Sequence, residues 1–341
     1  MKNNILKSVF IVAELSANHN GSLQTAIDTI KAAKFAGADA IKLQTYTPDT
    51  MTIDCRKEEF VVKLDNQWDG ISLYDLYKSA YTPWEWHQTL FETAKKEGLI
   101  CFSSPFDHSS IDLLEQLDNP IYKIASFEIN DIPLIEYAAS KGKPMIMSTG
   151  IADEADIRLA IETCRKVGNN QITLLKTTSQ YPAKIEDANL SMIPDMRTRF
   201  GVEVGLSDHT MGSLVPMTAT ALGATVIEKH FILDRNMGGP DSEFSMNPSE
   251  FKDMVDQVRL IEKALGKIDY QLSEKALKSR NYSRSIYVVK DLKAGETITK
   301  EHIKVIRPGF GLHPKYYHEL IGKISKNDLF KGDRMSIEFI Q

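Results

Sequence analysis

The chain has 341 residues, more than one compact core usually holds, so a large domain with a smaller companion is expected. With 42% hydrophobic and 26% charged residues it has the balance of a globular protein with a sizeable core. The net charge of −5 argues against a nucleic-acid binder, and no apolar run approaches the ~18 residues of a membrane span.

At the N-terminus the apolar stretch 9–13 is brief and breaks at Glu14, which does not suit a signal peptide. Cys55, Cys101 and Cys164 are odd in number and scattered. They point to a reducing cytoplasm and away from a thiolate metal cage.

Short β-branched or apolar runs recur along the chain, each followed by a stretch of helical period. The strand candidates are 9–13, 40–43, 99–102, 121–125, 145–147, 172–175, 202–206 and 225–227. Helices are expected at 22–35 with Ser22 as N-cap, at 84–97 behind Pro83, and at 107–117, 133–140, 153–167, 191–199, 212–222 and 249–265. Glycines such as Gly98 and Gly201 close several of them, as a left-handed C-cap requires. Eight alternations of strand and helix match one closed α/β structure, the (β/α)8 TIM barrel. A doubly wound open sheet is the alternative, but no Gly-x-Gly-x-x-Gly turn follows a strand.

The stretch 45–82 interrupts this rhythm and carries Trp68, Tyr74, Tyr77 and Tyr81. An insertion there reads as a lid or a substrate wall. Beyond Lys267 the pattern changes. Residues 273–281 are polar, helical at first, and form a linker. From Ser283 short strands and turns dominate, and 291–296 (DLKAGE) resembles 328–333 (DLFKGD), which suggests a small pseudo-symmetric β domain. The expected division is a barrel over 1–270, a linker over 271–283 and a β domain over 284–341. That last segment carries +4, the rest −9. A basic module could dock on an acidic barrel, its own or a neighbour's; the asymmetry is equally explained by surface solvation.

In a barrel of this kind chemistry belongs at the C-terminal strand ends. There the sequence places Glu14; Lys42 and Gln44; Ser103 and Ser104; Lys123 and Ser126; Ser148 and Thr149; Thr177, Thr178, Ser179 and Tyr181; Ser207, Asp208 and His209; and Glu228, Lys229 and His230. One strand-end serine or histidine is more often structural than functional, so the case lies in their convergence on one rim. Lys42 and Lys123 sit within apolar strands and need anionic partners, which a phosphorylated or carboxylated substrate would supply. The serines and lysines fit a phosphate dianion. His209 and His230 follow adjacent strands. Two neutral imidazoles suit a divalent first-row ion with positions left for water and substrate, or each histidine caps a loop by hydrogen bonding. His19, in an Asn-His-Asn-Gly turn, is structural or faces substrate. No Walker-type phosphate loop and no defensible Ser-His-Asp triad are present.

At these residues the sequence resembles the sialic acid synthase family over nearly its whole length. The matching segments are AELSANHNG (13–21), IKLQ (41–44), SSPF (103–106), YKIAS (122–126), MSTG (147–150), SDH (207–209), EKHF (228–231) and GPD (239–241). The tail, with RPGFG at 307–311, is similar to that family's antifreeze-like (SAF, β-clip) domain. Within the family the stretches 68–77 and 80–87 look most like the pseudaminic acid synthases.

The resemblance implies condensation of phosphoenolpyruvate with an amino-sugar aldehyde, here 2,4-diacetamido-2,4,6-trideoxy-altrose. C3 of phosphoenolpyruvate attacks the aldehyde carbon, water adds at C2, and phosphate leaves by C–O cleavage. By carry-over, His209 and His230 bind a divalent ion, usually manganese, with magnesium or cobalt as alternatives. Lys123, Ser126, Ser148 and Ser207 hold the phosphate, with Ser104 nearby, and Lys42 holds the carboxylate side. Glu14, Gln44, Tyr181, Glu228 and Asp241 face the sugar or transfer protons. Arg307 reaches a partner subunit's site, which implies a domain-swapped homodimer. Ser179 stands where the family often has Asn, so its substrate contact departs from the pattern. An N-acetylneuraminate or legionaminate synthase is the nearest rival. Another phosphoenolpyruvate aldol enzyme, or a non-catalytic sugar- or ice-binding protein, is more distant.

Overall fold

The computed structural model describes residues 8–63 and 69–341. Trp68, expected in the insertion, lies outside the described residues. Eight strands form a closed parallel barrel in chain order: β1 (Phe10–Glu14), β2 (Ala40–Thr45), β3 (Ile100–Pro105), β4 (Tyr122–Ile124), β5 (Met145–Ser148), β6 (Ile172–Thr177), β7 (Glu203–Asp208) and β8 (Val226–His230). β1 closes the ring on β8, with Glu14 beside His230. All eight expected strands are present. Seven of them run past the apolar pattern at their C-terminal ends, because polar residues such as Gln44, Ser104 and Ser207 continue the ladder.

Each strand has two faces of period two. Outward, Ile11, Ala13, Ile41, Leu43, Met147, Leu174, Leu206 and Ile227 pack against the helices. Inward, Val12, Ala40, Phe102, Ile146, Leu175 and Val226 fill the barrel as an apolar plug. Gly205 is required here: a Cβ would lie 2.5 Å from the Val226 carbonyl oxygen and 2.8 Å from Leu175 Cδ2. Two residues further along, each inward-facing line turns polar, so the plug is the floor of the site.

Helix starts follow the local chemistry. The Ser22, Asp107, Asp131, Asp153 and Asn247 side chains each accept a backbone N–H of the first turn. Each such cap is worth about 1 kcal/mol. The helices His87–Glu97 and Met192–Phe200 end on Gly98 and Gly201, both left-handed at φ 70° and 65°. Among its described residues the insertion after β2 holds two short α-helices, Pro48–Met51 and Leu73–Ala80, and a 3-10 turn at Glu58–Phe60. Tyr46 anchors it, its ring lying edge-on to Tyr77 at 5.8 Å and to Phe106 at 5.3 Å. Trp84 Nε1 donates to the Tyr46 carbonyl at 3.1 Å.

The chain divides into two compact units, Met1–Gly266 and Lys267–Gln341. The second opens with the helix Glu274–Arg280 and pairs β9 (Ser285–Val288) antiparallel to β10 (Ile303–Ile306) over a small core of Ile286, Leu292, Ile303, Leu320 and Leu329. The repeated turn is a local two-fold. Leu292 and Leu329 exchange backbone hydrogen bonds of 2.9 and 2.8 Å. Asp291 accepts the Lys331 N–H and Asp328 the Ala294 N–H. Within each turn, Glu296 accepts Lys293 N–H and Asp333 accepts Phe330 N–H, both at 2.7 Å.

Candidate active site

Two carboxylates and two ammonium groups meet above the plug, all buried. Lys42 Nζ lies 2.8 Å from Glu14 Oε2 and 3.3 Å from Glu228 Oε1. Lys123 Nζ donates to both oxygens of Glu228 at 2.8 and 3.1 Å. Gln44 donates to Glu14 Oε1 at 3.2 Å and to Ser16 Oγ at 2.9 Å, and Ser207 Oγ donates to Glu228 at 3.1 Å. The sequence assigned the anionic partners of Lys42 and Lys123 to a substrate. In the structure the chain itself also supplies carboxylates to both, Glu14 and Glu228, because barrel closure brings β1, β2, β4 and β8 to a common centre.

Burial raises the Glu228 pKa, but Lys123 and Lys42 outweigh it and hold the group low. Glu14 has less compensation, so burial pushes it up to about 7 against the pull of Lys42. Burial likewise lowers Lys123 to about 8 despite Glu228, whereas Lys42, between two carboxylates, is raised. Desolvation thus separates two acids and two bases into unequal members.

Hydroxyls line the neighbouring strand ends. Gly150 N–H donates to Ser126 Oγ at 3.2 Å, and a Cβ on Gly150 would lie 2.0 Å from Ser179 Oγ and 2.8 Å from Ser126 Oγ. The Ser104, Ser148 and Ser179 hydroxyls are buried with no hydrogen-bond partner among the described residues. Buried polar groups are rarely left so, and a small anion would satisfy them. Ser103 points the other way and bonds Thr45 Oγ1 at 2.7 Å, and Thr149 Oγ1 bonds the Leu175 carbonyl, so both are structural.

His209 and His230 stand side by side, ring centroids 5.3 Å apart, against Tyr181 and Phe244. His209 Nδ1 lies 2.9 Å from the Thr178 carbonyl, which only accepts, so Nδ1 carries the proton and Nε2 a lone pair. His230 Nδ1 is buried without a hydrogen bond, 3.8 Å from Asp241 Oδ2. Burial lowers His209 to about 4 and His230 well below its ordinary value, so both are neutral. Two neutral imidazoles with available lone pairs fit a divalent first-row ion that keeps open positions. Among the described residues no group of three or more His, Cys, Asp or Glu side chains forms a closed cage.

His19 resolves as structural. It is buried, accepts the Gly21 N–H at Nδ1, meets Thr82 Oγ1 at Nε2 and packs edge-on to Trp86. Asp241 takes the Ala17 N–H at 3.4 Å, and burial raises its pKa. Arg307 lies in the second unit, exposed, in no ion pair among the described residues.

The sequence missed Glu128, in the turn after β4. Its Oε2 is buried without a partner, burial and the nearby Asp131 push its pKa up to about 7, and its charge acts on Tyr77 and Tyr181. It also missed Phe244, which closes the histidine side. The one available signal for Glu128 was its place two residues beyond Ser126 in a strand-end turn.

Known proteins are similar to this chain over most of its length. Residues 29–270 match the NeuB family and residues 283–333 the SAF domain. The chain is 53% identical to a pseudaminic acid synthase of Campylobacter jejuni, covering 96% of each chain. It is 38% identical to an N,N'-diacetyllegionaminic acid synthase of Legionella pneumophila, covering 97% of this chain and 94% of the other. The structure of an N-acetylneuraminic acid synthetase from Leptospira borgpetersenii superposes with a TM-score of 0.72 at 32% identity, covering 82% of this chain and 94% of that one. The chain belongs to the NeuB family and carries a SAF domain C-terminal to its barrel in sequence.

Proposed function

We propose that the protein is a pseudaminic acid synthase, which condenses phosphoenolpyruvate and water with 2,4-diacetamido-2,4,6-trideoxy-β-L-altropyranose, in its open-chain form, and releases phosphate. The observation that carries the chemistry is the cluster of Lys42, Lys123 and unpartnered serine hydroxyls over the barrel plug. The sugar assignment rests on the higher identity to the pseudaminic acid synthase than to the legionaminic acid synthase, 53% against 38%.

Lys123, Ser126, Ser148 and Ser207 hold the phosphate, with Ser104 and Ser179 beside them, and Lys42 holds the carboxylate. These groups orient the donor and stabilise the charge that leaves with phosphate. Gln44, Tyr181 and Asp241 border the acceptor sugar. Glu14 and Glu128, both near 7, exchange protons at neutral pH, while Glu228 stays ionised and orients the two lysines. A divalent ion on His209 and His230, manganese by family resemblance, supplies Lewis acidity toward the aldehyde oxygen.

The active form is proposed to be a homodimer with Arg307 of each SAF domain in the partner's site. Exposed Phe127, Ile151 and Met211 in the turns at the barrel's functional end, with Leu214 at the start of the helix after β7, support a covering surface. The free thiols and the lack of a helix able to cross a membrane among the described residues are consistent with work in the cytoplasm.

The test is phosphate release from phosphoenolpyruvate with a panel of acceptors. Turnover of the 2,4-diacetamido-altrose in clear preference to N-acetylmannosamine and the legionaminic acid precursor is expected. Preference for either of the others would replace the sugar assignment, and no release with any would refute the synthase reading.

A further inference from the structure

Behind the two histidines, on the outer face of the barrel wall, lies an ion pair with no part in the chemistry above. Asp208 and Lys229 form the last residue pair between β7 and β8. Each immediately precedes a histidine, so strand alternation turns His209 and His230 inward and this pair outward. Lys229 Nζ lies 2.6 Å from Asp208 Oδ2 and also donates to the Thr210 carbonyl. Asp208 in turn accepts Thr210 N–H at 3.0 Å and Thr210 Oγ1 at 3.1 Å. Lys229 and Thr210 are each 1% exposed and Asp208 4%.

We infer that Asp208, Lys229 and Thr210 form a positioning clamp that sets the separation of His209 and His230 for a divalent cation. This rests on the two-histidine metal reading above. One ammonium grips the residues on both sides of His209. The lysine itself is the neighbour of His230, whose far side is held by Phe231 N–H on the Glu14 carbonyl and whose own carbonyl accepts Met246 N–H, both at 2.9 Å. Both histidine backbones are therefore bracketed, and by a common group.

The energetics favour position over stability as the reason for the clamp. Two buried charges lose their hydration, and an apolar pair of the same volume would often stabilise the wall as well or better. An apolar pair has no direction, however. Metal–nitrogen bonds of about 2.0–2.2 Å and a two-ligand site leave little tolerance in ring spacing. Groups that hold metal-binding histidines from behind commonly control affinity.

The experiment uses the full chain with Asp208→Asn and Lys229→Met combined, which removes both charges and keeps their shape. Mn2+ binding is measured by electron paramagnetic resonance of the free ion, and phosphoenolpyruvate binding is measured separately without metal. The expected result is Mn2+ affinity weakened about 10–100-fold, with phosphoenolpyruvate affinity within about twofold of wild type. Unchanged Mn2+ affinity in the folded double variant overturns the clamp. Equal losses for Mn2+ and phosphoenolpyruvate overturn it too, since they indicate a general collapse of the site. Should the double variant not fold, Thr210→Val decides: a loss of Mn2+ affinity of about threefold or more supports the clamp, and wild-type affinity overturns it. A wild-type protein that fails to bind Mn2+ overturns the metal reading and this inference together.

Discussion

Lys123 Nζ lies 2.8 Å from Glu228 Oε1, so a base on β4 and an acid on β8 meet across the interior of the barrel. With Lys42 and Glu14 they form a buried set of two acids and two bases. A polyanionic donor entering such a set brings excess negative charge, which protonation of Glu14 and a divalent cation at the histidines would offset. Lys123→Met removes the group that would hold the phosphate while keeping its length. A charged hydrogen bond of about 2 kcal/mol implies a rise in KM for phosphoenolpyruvate of roughly thirtyfold. Glu228 keeps Lys42 at 3.3 Å, so the variant should fold. Steady-state kinetics at saturating sugar measures the rise, and an unchanged KM would remove Lys123 from the donor site.

The same lysine should set the alkaline limb of activity. Burial lowers it to about 8. Below that pH it is protonated and can hold a phosphate; above it the charge is lost. The KM for phosphoenolpyruvate should therefore rise above about pH 8, approaching tenfold per unit, rather than above the ordinary lysine value near 10.4. The limb should vanish in Lys123→Met, and its persistence there would assign it to another group.

Gly150 tests the hydroxyl cradle by space alone. Gly150→Ala puts a methyl against Ser179 Oγ at 2.0 Å and Ser126 Oγ at 2.8 Å. No charge changes, and the backbone is not left-handed there. Overpacking of this kind costs about 1–3 kcal/mol. It should appear as a rise of roughly 5- to 150-fold in KM for phosphoenolpyruvate with sugar KM little changed. A variant with wild-type donor KM would show that the cradle is not the phosphate site.

Much of this was legible from residue order alone, for particular reasons. The strands announced themselves through outward faces such as Ile11, Ala13, Ile41 and Leu43, which pack on helices. Their functional ends did not, because Gln44, Ser104 and Ser207 look like loop residues until the ladder is seen to continue through them. Ser103 and Ser104 are equivalent in sequence, and only the phase of the pleat sends one to Thr45 and the other into the barrel. The partners of Lys42 and Lys123 depend on ring closure, a relation among four strands that no local pattern encodes. The repeated turn at 291–296 and 328–333 was visible as a repeat, and reciprocal pairing is its physical cause.

The histidine pair yields a sharper test than loss of activity. His209→Ala or His230→Ala removes one of two nitrogen donors and should abolish metal-dependent turnover. The folded protein should then lose the Mn2+-induced rise in melting temperature, which for wild type at about 100 times its dissociation constant corresponds to about 2.7 kcal/mol. Activity of the wild type that survives exhaustive chelation would sink the metal role.

Glu128 had no motif to mark it, yet its surroundings suit a proton carrier. Its Oε2 is buried without a partner, and burial with the Asp131 charge raises it to about 7, so both protonation states are present at neutral pH. Tyr77 from the insertion and Tyr181 from the loop after β6, a residue proposed to border the acceptor, both feel its charge. Glu128→Gln keeps the shape and the hydrogen-bonding reach but cannot exchange a proton. General acid or base catalysis contributes about 10²–10⁴-fold, so kcat should fall by that factor while KM for either substrate moves by no more than about threefold. A structural role predicts the opposite pattern, a KM or stability change with kcat preserved. Retention of kcat within about threefold would therefore return Glu128 to the scaffold and leave Glu14, also near 7, as the proton carrier of this site.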